Sequence, residues 1–141
     1  VGVCALIRQR QEEVDLMTSS QKPVVLEEVL DCLDEGAFTI DSDWRITHFN
    51  RAAEEITGWS RQQVCGRHCY EVMRANICNG GCGMHWAMGS DDPVRMRGVC
   101  FRNIDDGQVP VQLRVCLLHD IEGKVVGGME TFRPEPHAID H

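Results

Sequence analysis

The residues best suited to chemistry lie between Val64 and Trp86, VCGRHCYEVMRANICNGGCGMHW, a stretch holding four of the eight cysteines. They are spaced Cys65-x3-Cys69-x8-Cys78-x3-Cys82, with His68 and His85 beside them. Between Ser60 and Trp86 the charged side chains are Arg61, Arg67 and Arg74 against one acid, Glu71, in a chain of net charge -8. Nearby positive charge stabilises a thiolate, which is the form of cysteine that reacts and that binds metals. The pattern predicts thiol chemistry.

Soft thiolates select iron–sulfur clusters, zinc or cuprous ion. Cys65 and Cys69 would share a face if one helix carried both. Cys78 and Cys82 enclose Asn79-Gly80-Gly81, a loop whose backbone N–H groups could turn toward sulfur and disperse its charge. The paired C-x2-C spacing of a zinc ribbon and the C-x-x-C-H of covalent haem are both absent. A second reading needs no cofactor: the same thiols could pair as disulfides on oxidation, given a suitable Cα separation. A third treats the cysteines as small buried hydrophobes. It is preferred for Cys4, Cys32, Cys65, Cys100 and Cys116; of these Cys32 falls beside an apolar helix face, and Cys100 and Cys116 fall in strands. His48, His119, His137 and His141 read as surface or satisfied histidines, and Trp44, Trp59 and Trp86 as packing residues, of which Trp59 and Trp86 could line a pocket.

The elements that must position these groups are legible from periodicity. Val3–Met17 has roughly heptad apolar spacing, which predicts a helix on its own domain or a short coiled coil pairing two copies. A linker follows, and a second amphipathic helix is expected over Val24–Leu33. Ala37–Asp41 and Arg45–Asn50 predict two strands around an Asp-Ser-Asp turn. Asn50 caps a helix over Arg51–Thr57 that Gly58 ends, and Ser60 with Gln63 makes a capping box for another. Beyond the cysteines the period changes to two. Val94–Ile104, Val109–His119 and Lys124–Arg133 predict three strands, reversing at Asp105-Asp106-Gly107 and Glu122-Gly123. Strand runs separated by a block of helices indicate an α+β domain.

At 141 residues the chain is one domain with short extensions, large enough to fold without disulfides or metals. Helix and strand signals this clear fit a reducing, cytoplasmic compartment better than a secreted disulfide framework. No apolar run is long enough to span a membrane. The acidic balance disfavours direct binding of nucleic acid. No phosphate-binding glycine loop, G-x-S-x-G elbow or spaced carboxylate pair is present, so an enzyme is not expected.

Several local patterns together resemble the PAS sensor domain. These are Asp41-x-Asp43-x-x-Ile46-x-x-x-Asn50 followed by Ala52, Ala53, Glu54 and Thr57-Gly58-Trp59-Ser60; Val64-Cys65-Gly66; Asp106-Gly107-x-Val109-Pro110-Val111; and Gly123-x-x-Val126-Gly127-Gly128. Thr131-Phe132-Arg133 is similar to the family's exit into a signalling helix, though Pro134 replaces its usual acid. The resemblance implies a five-stranded antiparallel sheet with helices packed on one face, here preceded by an N-terminal helix. It divides the chain into residues 1–23 (helix and linker), 24–133 (PAS domain) and 134–141 (tail). It also implies a sensor that acts through an effector domain of the same parent chain, as a homodimer. GRHCYEVMRANICNGGCGM is similar to the cysteine-bearing PAS domains of bacterial sigma-54-dependent regulators and some histidine kinases, in which cysteines stand at the positions of Cys69, Cys78 and Cys82. That implies redox sensing through a cysteine-ligated iron–sulfur cluster, with zinc or no cofactor as alternatives. Cys65, Cys100, Cys116 or His85 is the candidate fourth ligand. The competing expectations are a cofactor-free thiol–disulfide switch, and a dimerisation or small-ligand module with structural cysteines.

Overall fold

The computed structural model describes residues 25–78, 82–90 and 92–135. The expected helix over Val3–Met17 and the tail from residue 136 lie outside them. Ten elements follow one another: α1 (Leu26–Asp31), β1 (Gly36–Asp41), β2 (Ile46–Phe49), α2 (Arg51–Thr57), α3 (Arg61–Val64), α4 (Cys69–Met73), α5 (Gly83–Ser90), β3 (Val94–Arg102), β4 (Gln108–His119) and β5 (Val125–Pro134). The strands form one antiparallel sheet in the order β2-β1-β5-β4-β3, the α+β architecture expected.

Period-two alternation fixes which side chains face inward. Phe38, Val99, Phe101, Val111, Leu113, Val115 and Phe132 point to the helix-covered face and are buried. Three of their rings are in contact: Phe38 and Phe132 centroids lie 6.1 Å apart, and Phe101 meets Phe132 edge-on at 5.0 Å. Edge-to-face packing suits the quadrupole of each ring.

Asn50 joins the first half of the domain together. Its Oδ1 accepts from the Ala53 N–H at 2.9 Å, capping α2, and from the Ala37 N–H at 2.8 Å on β1. Its Nδ2 donates to the Leu30 and Glu35 carbonyls. Gly58 ends α2 at φ 79°, where an added Cβ would also press to 2.8 Å from Ile104 Cγ2. The Ser60–Gln63 capping box forms as its sequence suggests.

Two expectations are corrected, and one element is new. The helix expected over Val24–Leu33 is shorter, and of its apolar residues Leu26, Val29 and Leu33 are exposed, leaving Leu30 buried. Cys32 is likewise exposed rather than buried. Helix α5 was not anticipated, because GMHWAMGS carries two glycines and little periodicity. It is positioned by tertiary contact instead: Ala87 is fully buried, and Gly83 packs so closely that an added Cβ would meet Val115 Cγ2 at 2.8 Å.

Candidate functional site

Cys69 opens α4, with His68 at the N-cap position and hydrogen-bonded through Nδ1 to Glu71 at 2.9 Å. The helix does not continue from α3. Gly66 takes φ 85° between the two, so Cys65 and Cys69 do not share a helical face. The Cys69 N–H donates to the Trp44 carbonyl, and its side chain joins the core at the inner face of the sheet. Cys78 follows a turn closed by its own N–H to Ala75, and Cys82 directly precedes α5. Residues 79–81, the glycine loop proposed to direct N–H groups at sulfur, lie outside the described residues.

The fold brings Cys69, Cys78 and Cys82 within electrostatic reach of one another and of Glu130. Glu130 is on β5 opposite Phe38 and Val115, which aims it into the core, and it is 7% exposed. Burial pushes its carboxyl up to about 7. Burial also drives the Cys69 thiol far upward, and negative charge at Glu130, Cys82 and Cys78 adds to the effect, against a backbone hydrogen bond from Tyr70. The Cys78 thiol is raised chiefly by burial too.

This overturns the electropositive environment read from the sequence. Arg61 instead reaches Asp31 at 3.0 Å, Glu27 at 3.4 Å and Glu54 at 3.5 Å. Arg74 pairs with Asp106 at 3.0 Å, and Arg67 lies 5.4 Å from the ring centroid of Trp59. The charge that bears on the thiols is Glu130, far along the sequence from them. An acid flanked by Met129 and Thr131 at a core-facing strand position was the available signal.

The candidate fourth ligands are placed elsewhere. Cys100 lies opposite Pro110 and Cys116 opposite Met129, each one residue out of phase with the inward Phe101 and Val115. Both therefore sit on the sheet face away from Cys69, half-buried. Cys65 packs against the core and is disulfide-bonded. The His85 and Trp86 side chains are outside what is described. Among the described residues, no three His, Cys, Asp or Glu side chains assemble as a metal-holding group. Trp59 is half-buried against the core, and its Nε1 is buried without a hydrogen-bond partner.

A family model described as the PAS fold matches residues 25–134. The chain belongs to the PAS family. As a PAS domain it is a signalling module, and solved structures agree on the fold. The PAS domain of a Colwellia psychrerythraea protein superposes with a TM-score of 0.66 at 13% identity, covering 77% of this chain and 92% of that one. The PAS domain of an HTR-like protein from Haloarcula marismortui gives 0.64 at 18% identity, covering 91% and 100%. A light-oxygen-voltage domain from work with a flavin analogue gives 0.65 at 16%, covering 86% and 89%. No curated protein matches the sequence. No helix among the described residues of this PAS domain is long and apolar enough to cross a membrane.

Proposed function

We propose that this PAS domain senses redox state through Cys69, Cys78 and Cys82, by thiol–disulfide conversion without a resident cofactor. The observation that supports this is that a buried Cys69 and a half-buried Cys78 and Cys82 lie within electrostatic reach of one another and of the buried Glu130. Burial favours the protonated forms of Cys69 and Cys78, so these thiols are neutral in the reduced state and compatible with the core. A peroxide supplies the oxidising equivalents. One thiol passes its proton to Glu130, and the thiolate attacks the peroxide, giving a sulfenic acid and expelling the other oxygen, which takes the proton back from Glu130 and leaves as water or alcohol. A second thiol then attacks the sulfenic sulfur, forming the disulfide and releasing water. The new bond would draw α4 and the start of α5 together and shift both against the sheet. In the context we propose, a cytoplasmic homodimer within a bacterial sigma-54-dependent regulator or histidine kinase, that shift would bias an effector domain of the same chain. Direct contact with nucleic acid or membrane plays no part in this reading, and no enzymatic step on a separate substrate is proposed.

An iron–sulfur cluster or zinc fits the described residues poorly. Burial raises the Cys69 and Cys78 thiols, whose ionised forms would be needed, and Glu130 adds negative charge against them. A second reading, a pocket for a small organic ligand, is favoured by the unpartnered Nε1 of Trp59.

The test is alkylation of the thiols with mass-spectrometric readout, before and after peroxide, on protein purified without oxygen. Two of Cys69, Cys78 and Cys82 should lose reactivity with peroxide and recover it with dithiothreitol. Unchanged alkylation of all three would overturn the switch. Iron with acid-labile sulfide, or zinc, in the purified protein would move the assignment to a bound cluster or metal, and an organic chromophore would move it to the pocket.

A further inference from the structure

The sheet face turned away from the described helices carries a second feature, independent of the thiols. A groove of about 470 Å³ there is lined by Arg95, Arg97, Arg114 and Arg133, with Gln112 and Glu35. Four of the chain's 14 basic residues thus converge in a protein of net charge -8. Arg95 and Arg114 stand directly opposite each other on β3 and β4. Like charges in that relation repel and destabilise a sheet.

Some arginines elsewhere in the domain are paired. Arg61 and Arg74 have carboxylate partners. Among the described residues, the side chains of Arg95, Arg97 and Arg114 make no hydrogen bond or ion pair. Arg133 donates from Nε and Nη2 to Gln112 Oε1 at 3.2 and 2.9 Å, which orients its guanidinium along the groove. Arg97 sits where the β3–β4 register shifts, beside Gly98 at φ 72°. Two residues apart on β3, Arg95 and Arg97 share the outer face of the sheet and both line the groove.

We infer that this groove binds a small anion carrying at least two phosphate or carboxylate groups. Guanidinium forks match the planar oxygen pairs of both groups, and several of them separated along two strands suit separated charges better than one. The volume is that of a small-molecule site. A second copy seated face to face would set arginine against arginine, so the occupant is not the same face of another copy. The acidic surface elsewhere disfavours a long polyanion.

The test is calorimetric titration of the whole chain with tripolyphosphate and, separately, citrate, at low and high salt. Wild type should bind at least one of them saturably and more weakly as salt rises. The better probe shows whether phosphate or carboxylate is preferred. Arg95→Gln with Arg114→Gln should weaken binding about tenfold or more, through loss of charge-assisted hydrogen bonds. Arg51→Gln with Arg102→Gln removes the same charge outside the groove and should change binding far less. Without ligand, the Arg95/Arg114 variant should melt at or above the wild-type temperature, which separates loss of the site from loss of the fold. Absence of saturable binding at low salt, equal weakening by the two double variants, or binding of long RNA without either small probe would overturn the assignment.

Discussion

Glu130 is the residue whose ionisation has the widest consequence. Its carboxyl is held up to about 7 by burial, against an ordinary 4.5. Between those values the folded protein binds more protons than the unfolded chain, so stability falls as pH rises through that window and levels off above it. The full effect is on the order of 3 kcal/mol. Glu130→Gln should flatten the curve and stabilise the protein above pH 7 in urea titrations followed across pH. A wild-type curve already flat from pH 5 to 7 would show that the carboxylate is ionised at no cost. The same substitution should remove an inflection near pH 7 from the rate of peroxide-dependent thiol loss. Spacing marked four cysteines, and the family resemblance narrowed them to Cys69, Cys78 and Cys82, whose charges bear on one another in the fold. Their electrostatic setting was not legible in the same way. Arg61 and Arg74 lie close to the cysteines in sequence, yet their side chains pair with Asp31 and Asp106, whereas Glu130 arrives through strand pairing.

At the scale of elements, the joints between secondary structures carry more than the helices themselves, most of which are too short to persist alone. Asn50 satisfies β1, α2 and the end of α1 at once. Asn50→Ala would strand two N–H donors and two carbonyls around a buried site and should cost about 2–4 kcal/mol, from the lost cap and the unpaired groups. Asn50→Asp should recover part of this by retaining Oδ1. Chemical denaturation of the pair checks the assignment; equal losses would mean that the donated bonds from Nδ2 dominate. This cap was legible because Asn before an amphipathic run, with glycine after it, has a local physical meaning. The three C-terminal strands were legible for the same reason, through alternation and their turn residues. Helix α5 was not, since its position depends on Gly83 and Ala87 fitting against β4 and β3. Nor could α1 be read correctly: periodicity located its apolar residues without saying that Leu26, Val29 and Leu33 stay exposed.

For the molecule as a whole, the family and sheet order organise what can be expected of signalling. If residues 1–23 pair two copies, deleting them should convert a dimer to a monomer in sedimentation experiments while leaving the far-ultraviolet strand signal intact. A dimer that persists would place the contact within residues 24–133. The sheet order has a mechanical corollary. Strands β1 and β5 are neighbours near the middle, and Gly36, at the start of β1, lies opposite Phe132, near the end of β5. The polypeptide thus arrives and leaves on the same side of this strand pair. Tension between those two points would peel the strands apart one hydrogen-bonded pair at a time rather than shear the whole ladder at once. A neighbouring helix tugging on either end would meet a compliant hinge, so the link between this domain and whatever flanks it is soft by construction.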